Sequence, residues 1–307
     1  MRFIDLKTRV EAAFIPFPTV LCIGDFDGVH LGHRQLVASV LQQINEIKKE
    51  YPNAVSGAWF FDSNSSKEAR EIYTVEEKLN VFASLGIDYA IIADFNEMKS
   101  LSPESFVIDV LQTECKCVHA VCGENFRFGS KAAGDSNSLK ELMNGNATVV
   151  PLMAVDGDKI ISSTYIRELL AEGNIKKANS LLGENYTVYE TVIHGKALGR
   201  TLGIPTINQN VKGKQFILKN GIYSTLCTFD GVTYQGVTNV GVRPTVDDDG
   251  HKNMETHIIG FNGDCYGKSV KVEFVHRVRN EMKFDSLEDL KAQIQRDITA
   301  TINYFNN

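Results

Sequence analysis

The chain has 307 residues, 43% hydrophobic and 23% charged, with 32 basic against 38 acidic residues and a net charge of −6. At about 150 residues per domain this length suggests two domains, and the composition is that of a globular protein, which disfavours disorder. The acidic balance disfavours general binding of nucleic acid or anionic membrane, and no apolar run reaches the ~18 residues of a membrane span. The segment Met1–Lys7 is charged and lacks the apolar stretch of a signal peptide. The six cysteines, Cys22, Cys115, Cys117, Cys122, Cys227 and Cys265, are scattered without a C-x-x-C pair. They read as reduced thiols of a cytoplasmic protein and not as zinc ligands.

The first half alternates strand and helix. Thr19–Ile23 reads as a buried strand, and Leu36, Val37, Val40, Leu41, Ile44 and Ile47 follow helical spacing. Ala54–Phe61 is a second strand. Thr74–Leu85 is a helix with Val75, Leu79, Phe82 and Leu85 on one face. Tyr89–Ala93 is a strand, Pro103–Leu111 a helix, and Cys117–Cys122 a strand. This rhythm predicts a parallel sheet with helices on both faces, whose ligands bind beyond the carboxyl ends of the strands. Helices over Thr164–Glu172 and Ile175–Leu182, stopped by Gly173 and Gly183, close this half. The boundary falls at 184/185, giving domains 1–184 and 185–307.

The second half has another rhythm. Tyr186–His194, Gly221–Phe229, Val232–Asn239, Met254–Phe261 and Ser269–Arg277 read as strands, with Asp230-Gly231 as a hairpin turn. A small antiparallel barrel is expected. A terminal helix follows, capped by Ser286, with an apolar stripe of Leu287, Leu290, Ile294, Ile298, Ile302 and Phe305 that packs on the barrel.

Five segments carry candidate chemistry. Gly24-Asp25-Phe26-Asp27-Gly28-Val29-His30-Leu31-Gly32-His33 joins a strand to a helix. Its glycines admit a ligand close to the backbone, the helix start favours phosphate, and His30 and His33 can both donate to phosphate oxygens. A metal pair is the competing reading. Gly123-Glu124-Asn125-Phe126-Arg127-Phe128-Gly129 follows another strand, with Asn125 facing a ligand. In Ser162-Ser163-Thr164-Tyr165-Ile166-Arg167, a cation in a helix's first turn opposes the dipole, which makes sense beside an anion. Ser163, Thr164 and Arg167 are therefore phosphate candidates.

In the barrel half, His194–Asn208 contains three glycines, Gly195, Gly199 and Gly203, and two cations, Lys196 and Arg200, around a possible phosphate chain. Thr206 and Asn208 offer a hydroxyl and an amide oxygen to Mg²⁺; a long hairpin loop with incidental charges is the plain alternative. Gly236–Thr245 and Met254-Glu255-Thr256-His257 follow. Glu255 is either a solvent-face residue or a placed base.

The first three segments resemble the nucleotidyltransferase module of bacterial FAD synthetases, through G-x-F-D-G-V-H-x-G-H, G-x-N/D-F-R-F-G and S-S-T-x-I-R over roughly residues 15 to 183. The resemblance implies a Rossmann-like α/β domain that transfers AMP from ATP to FMN, releasing pyrophosphate. It places Gly24, Phe26, Gly28, His30, His33, Asn125, Ser163, Thr164 and Arg167 at the nucleotide. The family's aromatic–acid–Pro-His-Pro stretch is replaced here by Trp59-Phe60-Phe61-Asp62-Ser63-Asn64-Ser65. The alternative this motivates is a kinase with a degenerate N-terminal module.

The later segments, with Tyr266-Gly267-Lys268 and Arg279–Phe284, resemble riboflavin kinase over roughly residues 186 to 305 through G-R-x-L-G-x-P-T-x-N and N-x-G-x-R-P-T. This resemblance implies Gly199 and Arg200 at ATP, Thr206 and Asn208 at Mg²⁺, Glu255 as base for the ribityl 5′-hydroxyl, and Arg279, Glu281 and Phe284 over the flavin. A bifunctional riboflavin kinase and FMN adenylyltransferase is thus expected, with ATP, riboflavin, FMN and FAD as substrates or products, and with no nucleic-acid or membrane partner. The oligomeric state stays open.

Overall fold

Thr19–Ile23 is buried at every position, as a strand covered on both faces must be, and a parallel sheet is built around it. The computed structural model describes residues 1–6, 15–62, 70–195, 199, 202–211, 215, 218–242 and 252–306. The chain forms two compact units, Met1–Ser163 and Thr164–Asn307.

The first unit holds strands β1 (Arg2–Asp5), β2 (Thr19–Ile23), β3 (Val55–Phe61), β4 (Tyr89–Ala93), β5 (Cys117–Gly123) and β6 (Ala147–Val150), in the spatial order β1-β4-β3-β2-β5-β6. Every neighbouring pair is parallel. Helices α1 (Leu31–Ile47), α2 (Val75–Ser84) and α3 (Ser136–Leu142) connect them. Two of the strands, β1 and β6, went unread in the sequence; each is only four residues long, too short for a periodic signal.

Two helices differ from expectation. In α2, Thr74 and Glu77 form a reciprocal capping box, worth about 1 kcal/mol at such a position. The buried face is Glu77, Lys78, Val81 and Phe82; of the expected stripe Val75, Leu79, Phe82 and Leu85, Phe82 is buried and the other three are half-buried, while Lys78 turns inward to an acidic partner. The expected helix at Pro103–Leu111 is one α-turn, Pro103–Ser105, followed by a π-helix from Phe106 to Glu114. Its wider turn brings Phe106, Val107, Val110 and Leu111 onto the core together.

In the second unit, helices α4 (Ser163–Glu172, from its second residue) and α5 (Ile175–Leu182) precede the sheet. By compactness both belong with the barrel, although the sequence suggested that they close the first half. Gly173 and Gly183 end them at φ 80° and 79°, the left-handed stop expected of glycine.

The antiparallel sheet runs β7-β12-β9-β10-β11-β8. Its members are β7 (Tyr186–Thr191), β8 (Ile207–Asn210), β9 (Gly221–Phe229), β10 (Val232–Val242), β11 (Lys252–Ile258) and β12 (Ser269–Arg279). The bridge Ile193↔Asn208 brings its two ends together. Asp230 and Gly231 both have positive φ, so the β9–β10 hairpin has the expected turn. One sheet face is the barrel core, with Tyr186, Tyr223, Val272 and Phe274 buried. Helix α6 (Leu287–Asn306) covers the other face, where Ile298 joins Ile204, Ile222 and Val237. Ser286 caps α6, its Oγ accepting from Asp289 N at 3.0 Å. Leu287, expected in the apolar stripe, is 52% exposed; it stands at the helix start, beyond that cluster.

Candidate active sites

Carboxyl ends of neighbouring parallel strands diverge into loops, and here the loops after β2, β3 and β5 open a cavity of about 560 Å³. Gly24, His30, His33, Asn125 and Ser163, taken from three distant segments, all line it. Ser163 Oγ also donates to the carbonyl of Asp27 at 2.8 Å, tying the third segment to the first. Asn125 reaches back so that its Oδ1 lies over Gly123. The opposite wall is aromatic, with Trp59, Phe61, Phe95, Phe106, Phe126 and Phe128. Trp59 is 1% exposed, and its indole N–H has no hydrogen-bond partner.

The first loop is held under backbone strain. Phe26 and Val29 adopt positive φ, 51° and 37°, which is costly for non-glycine residues and most of all for a β-branched one. Burial offsets it, since both side chains are fully buried and Phe26 meets Phe82 edge-on and lies 5.1 Å from His33.

His30 and His33 stack with ring centroids 3.7 Å apart. His33 N donates to His30 Nδ1 at 3.4 Å. That bond caps α1 and leaves the His30 proton on Nε2 when the ring is neutral. Burial lowers the His30 pKa to about 4, and burial with the neighbouring His30 and Lys78 holds His33 well below its usual value. Both are neutral donors at pH 7. Among the described residues no group of three or more His, Cys, Asp or Glu could hold a metal.

Sequence reasoning missed the support beneath this loop. Lys78 is fully buried and paired with Glu71 at 3.1 Å; its Nζ donates to the Asp25 carbonyl at 3.4 Å and lies over the Phe60 ring. Asp27 Oδ1 accepts from Ile72 N at 2.7 Å. A lysine beside Glu77 on a helix reads as a solvent charge, and only tertiary structure shows otherwise. Thr164 and Arg167 lie in the first turn of α4 and belong to the second unit.

In that unit, antiparallel register sets Glu255 of β11 between Asn208 of β8 and Asn239 of β10. Residues paired this way share a sheet face. Glu255 is half-buried and accepts from Asn253 Nδ2 at 3.0 Å. Asn239, within the N-x-G-x-R-P-T segment, was not singled out as a site residue; its Oδ1 is buried without a partner.

Gly195 and Gly199 close on the same end of the sheet. A Cβ at Gly195 would lie 2.3 Å from Asn208 Nδ2 and 2.6 Å from its Oδ1, and one at Gly199 would lie 2.4 Å from the Ile204 carbonyl and 3.3 Å from Thr206 Oγ1. Only glycine fits so close an approach. The hydroxyl of Thr206 and amide oxygen of Asn208 are hard donors suited to a divalent cation. Thr206 also borders a second cavity of about 470 Å³ with Ile207, Phe261, Cys265 and Tyr266. Tyr266 stacks on His194 at 3.9 Å. Lys196, Arg200 and Arg243–Thr245 lie outside the described residues.

Arg279 donates to both Asp297 oxygens and to the Asn280 carbonyl, so its guanidinium is engaged within the protein. Glu281 Oε2 accepts from Asn220 Nδ2 at 3.1 Å, and its Oε1 lies over Gly241. Phe284 is half-buried.

A cavity at the strand ends of a parallel α/β unit and a second one in an antiparallel barrel unit mark a two-domain enzyme. The riboflavin kinase family model matches residues 182–305, and the FAD synthetase family model matches residues 15–165. The chain is 34% identical over 304 residues to the bifunctional riboflavin kinase/FMN adenylyltransferase of Bacillus subtilis (strain 168), covering 94% of this chain and 93% of that one. It is 32% identical over 296 residues to the enzyme of the same name from Escherichia coli (strain K12), covering 93% and 92%. A crystal structure named for a macrolide-efflux protein from Streptococcus pneumoniae superposes with TM-score 0.85 at 27% identity, covering 98% of this chain and 99% of that one. The chain belongs to the bifunctional riboflavin kinase/FMN adenylyltransferase family. Among the described residues no helix is long and apolar enough to cross a membrane.

Proposed function

We propose that the chain phosphorylates riboflavin to FMN through residues 185–307 and adenylylates FMN to FAD through residues 1–184, with ATP as donor in both steps. The observation that carries the second activity is the convergence of three separate segments on one cavity with an aromatic wall. A flat flavin ring suits that wall, and the histidine-lined loop suits phosphates. The family relatives are enzymes of both activities, which favours this reading over a kinase with a degenerate N-terminal module.

In adenylyl transfer, a phosphate oxygen of FMN attacks the α-phosphorus of ATP and pyrophosphate leaves. The attacking group is already an anion, so alignment and charge stabilisation are what the protein must supply. His30 Nε2–H and His33 donate to phosphate oxygens as neutral groups, and Asn125 and Ser163, which line the same cavity, complete the phosphate contacts there; Thr164 and Arg167 are the phosphate candidates of the second unit.

In the kinase, Glu255 takes the proton of the ribityl 5′-hydroxyl as its oxygen attacks the γ-phosphorus and ADP leaves. Thr206 and Asn208 would hold Mg²⁺, which neutralises phosphate charge when bound. Gly199 and Arg200 follow the phosphate chain. The cavity beside Thr206 takes the rest of the kinase's nucleotide. Arg279 anchors the segment 280–284, and Glu281 and Phe284 approach the flavin. We place the enzyme in the cytoplasm, where ATP is abundant and its six free, buried cysteines stay reduced.

Chromatography of flavins formed from riboflavin, ATP and Mg²⁺ tests this: FMN and then FAD are expected. FMN accumulating with no FAD would favour the kinase-only reading, and no FMN at saturating ATP would overturn the kinase assignment.

A further inference from the structure

We infer that Asn253 is a positioning residue for the kinase half-reaction: its amide N–H holds one oxygen of Glu255, so that the other is presented to the hydroxyl that loses its proton. The inference rests on the reading of Glu255 as the base.

Asn253 and Glu255 stand two residues apart on β11 and so share a face. Asn253 Nδ2 donates to Glu255 Oε1 at 3.0 Å. Among the described residues Asn253 is the one side chain that donates to this carboxylate. A glutamate has three side-chain torsions to fix, and a general base works only within hydrogen-bond reach of its proton. One oxygen pinned by an amide removes most of that freedom and leaves a single oxygen to act.

The second observation is the other end of the same amide. Asn253 is 6% exposed, and its Oδ1 is buried with no hydrogen-bond partner. Its orientation is not interchangeable. An ionised carboxylate only accepts, so the NH₂ must face Glu255 and the carbonyl oxygen must face away. Across the sheet Asn253 pairs with Gly241, which offers no side chain, and with Asn210. A position chosen for folding alone would carry an apolar β-branched residue here, as buried strand positions do. An unsatisfied buried acceptor opposes folding. The site retains it because the donor end of the group serves Glu255.

The test compares wild type with Asn253→Val, Asn253→Ser and Glu255→Gln, measuring thermal unfolding and both half-reactions. Valine has nearly the volume of asparagine and removes donor and orphaned acceptor together. Asn253→Val is expected to unfold no earlier than wild type. Its kcat for FMN formation should fall by about 10-fold or more, as expected when a base loses its orientation. Its KM for Mg-ATP and its formation of FAD from FMN should stay near wild type. Asn253→Ser, which keeps a hydroxyl donor, should recover part of kcat.

Wild-type kcat in a folded Asn253→Val would overturn the inference. So would a loss of kcat that tracks a lowered unfolding temperature and is not recovered by serine. If Glu255→Gln is inactive while Asn253→Val is fully active, the inference alone fails. If Glu255→Gln makes FMN at the wild-type rate, the base assignment fails and this inference with it.

Discussion

Arg279 grips Asp297 with two nitrogens, Nε at 2.9 Å from Oδ1 and Nη2 at 2.6 Å from Oδ2. The side chains are 17% and 4% exposed, and Gln293 Nε2 adds a further bond to Oδ1. The pair fastens the end of β12 to α6, immediately before residues 280–284. Removing the carboxylate leaves a guanidinium uncompensated in a mostly buried place. Asp297→Ala is therefore predicted to lower stability by about 3 kcal/mol, the scale for breaking a buried pair, and to raise the KM for riboflavin. Urea unfolding and steady-state kinetics check this; an unchanged riboflavin KM would show that the segment is held by other means.

Gly195→Ala places a methyl where the Asn208 amide now sits. One of the two must move, and displacement of a binding group by a fraction of an ångström to 1 Å costs rate steeply. FMN formation should drop by about 10-fold or more in kcat/KM, with FAD formation from FMN retained. Wild-type FMN formation in this variant would show that Asn208 is not needed where it stands.

Buried histidines give the fold a pH dependence of definite sign. His30 has an ordinary value of 6.5 and a folded value of about 4. Between these, the unfolded chain binds a proton that the folded chain refuses, so stability rises with pH. The contribution is complete above about pH 6.5 and is lost as pH falls toward 4. His33 is shifted in the same direction. Thermal unfolding of His30→Gln should depend less on pH across this window than wild type does. Parallel curves would show that His30 titrates normally.

Much of this was legible in the sequence, for physical reasons. The five-residue runs Thr19–Ile23 and Tyr89–Ala93 are buried throughout, so continuous hydrophobicity located them. The three loop segments declared themselves because glycine, histidine and capping hydroxyls at a strand–helix junction have few other uses. The sequence was silent where meaning depends on a distant partner. Lys78 becomes a core residue only because Glu71 meets it. Asn239 and Asn253 gain interest only from register, which sets one of them across from Glu255 and the other two residues before it. Arg279 is expected at the flavin, and nothing in the sequence points to its pairing with Asp297, eighteen positions on.

Lys78→Met removes the cation under the Gly24–His33 loop and leaves Glu71 near Asp25 and Asp27 without its cation. Breaking one side of this pair should cost about 3 kcal/mol and reduce FAD formation while sparing FMN formation. The double variant Lys78→Met/Glu71→Gln should regain stability, since no uncompensated charge is left. Thermal unfolding of single and double variants checks it; a double variant less stable than the single one would contradict the pairing.

The central claim is that one chain carries two independent sites, each completing one step. The most direct measurement mixes Glu255→Gln protein with His33→Ala protein, supplies riboflavin, ATP and Mg²⁺, and resolves the flavins over time. The first variant alone should make neither FMN nor FAD from riboflavin, and the second alone should stop at FMN. The mixture should make FAD, because FMN released by one protein is adenylylated by the other. FAD from either variant alone, or a mixture that stops at FMN while the Glu255→Gln protein still converts added FMN, would contradict this division of labour.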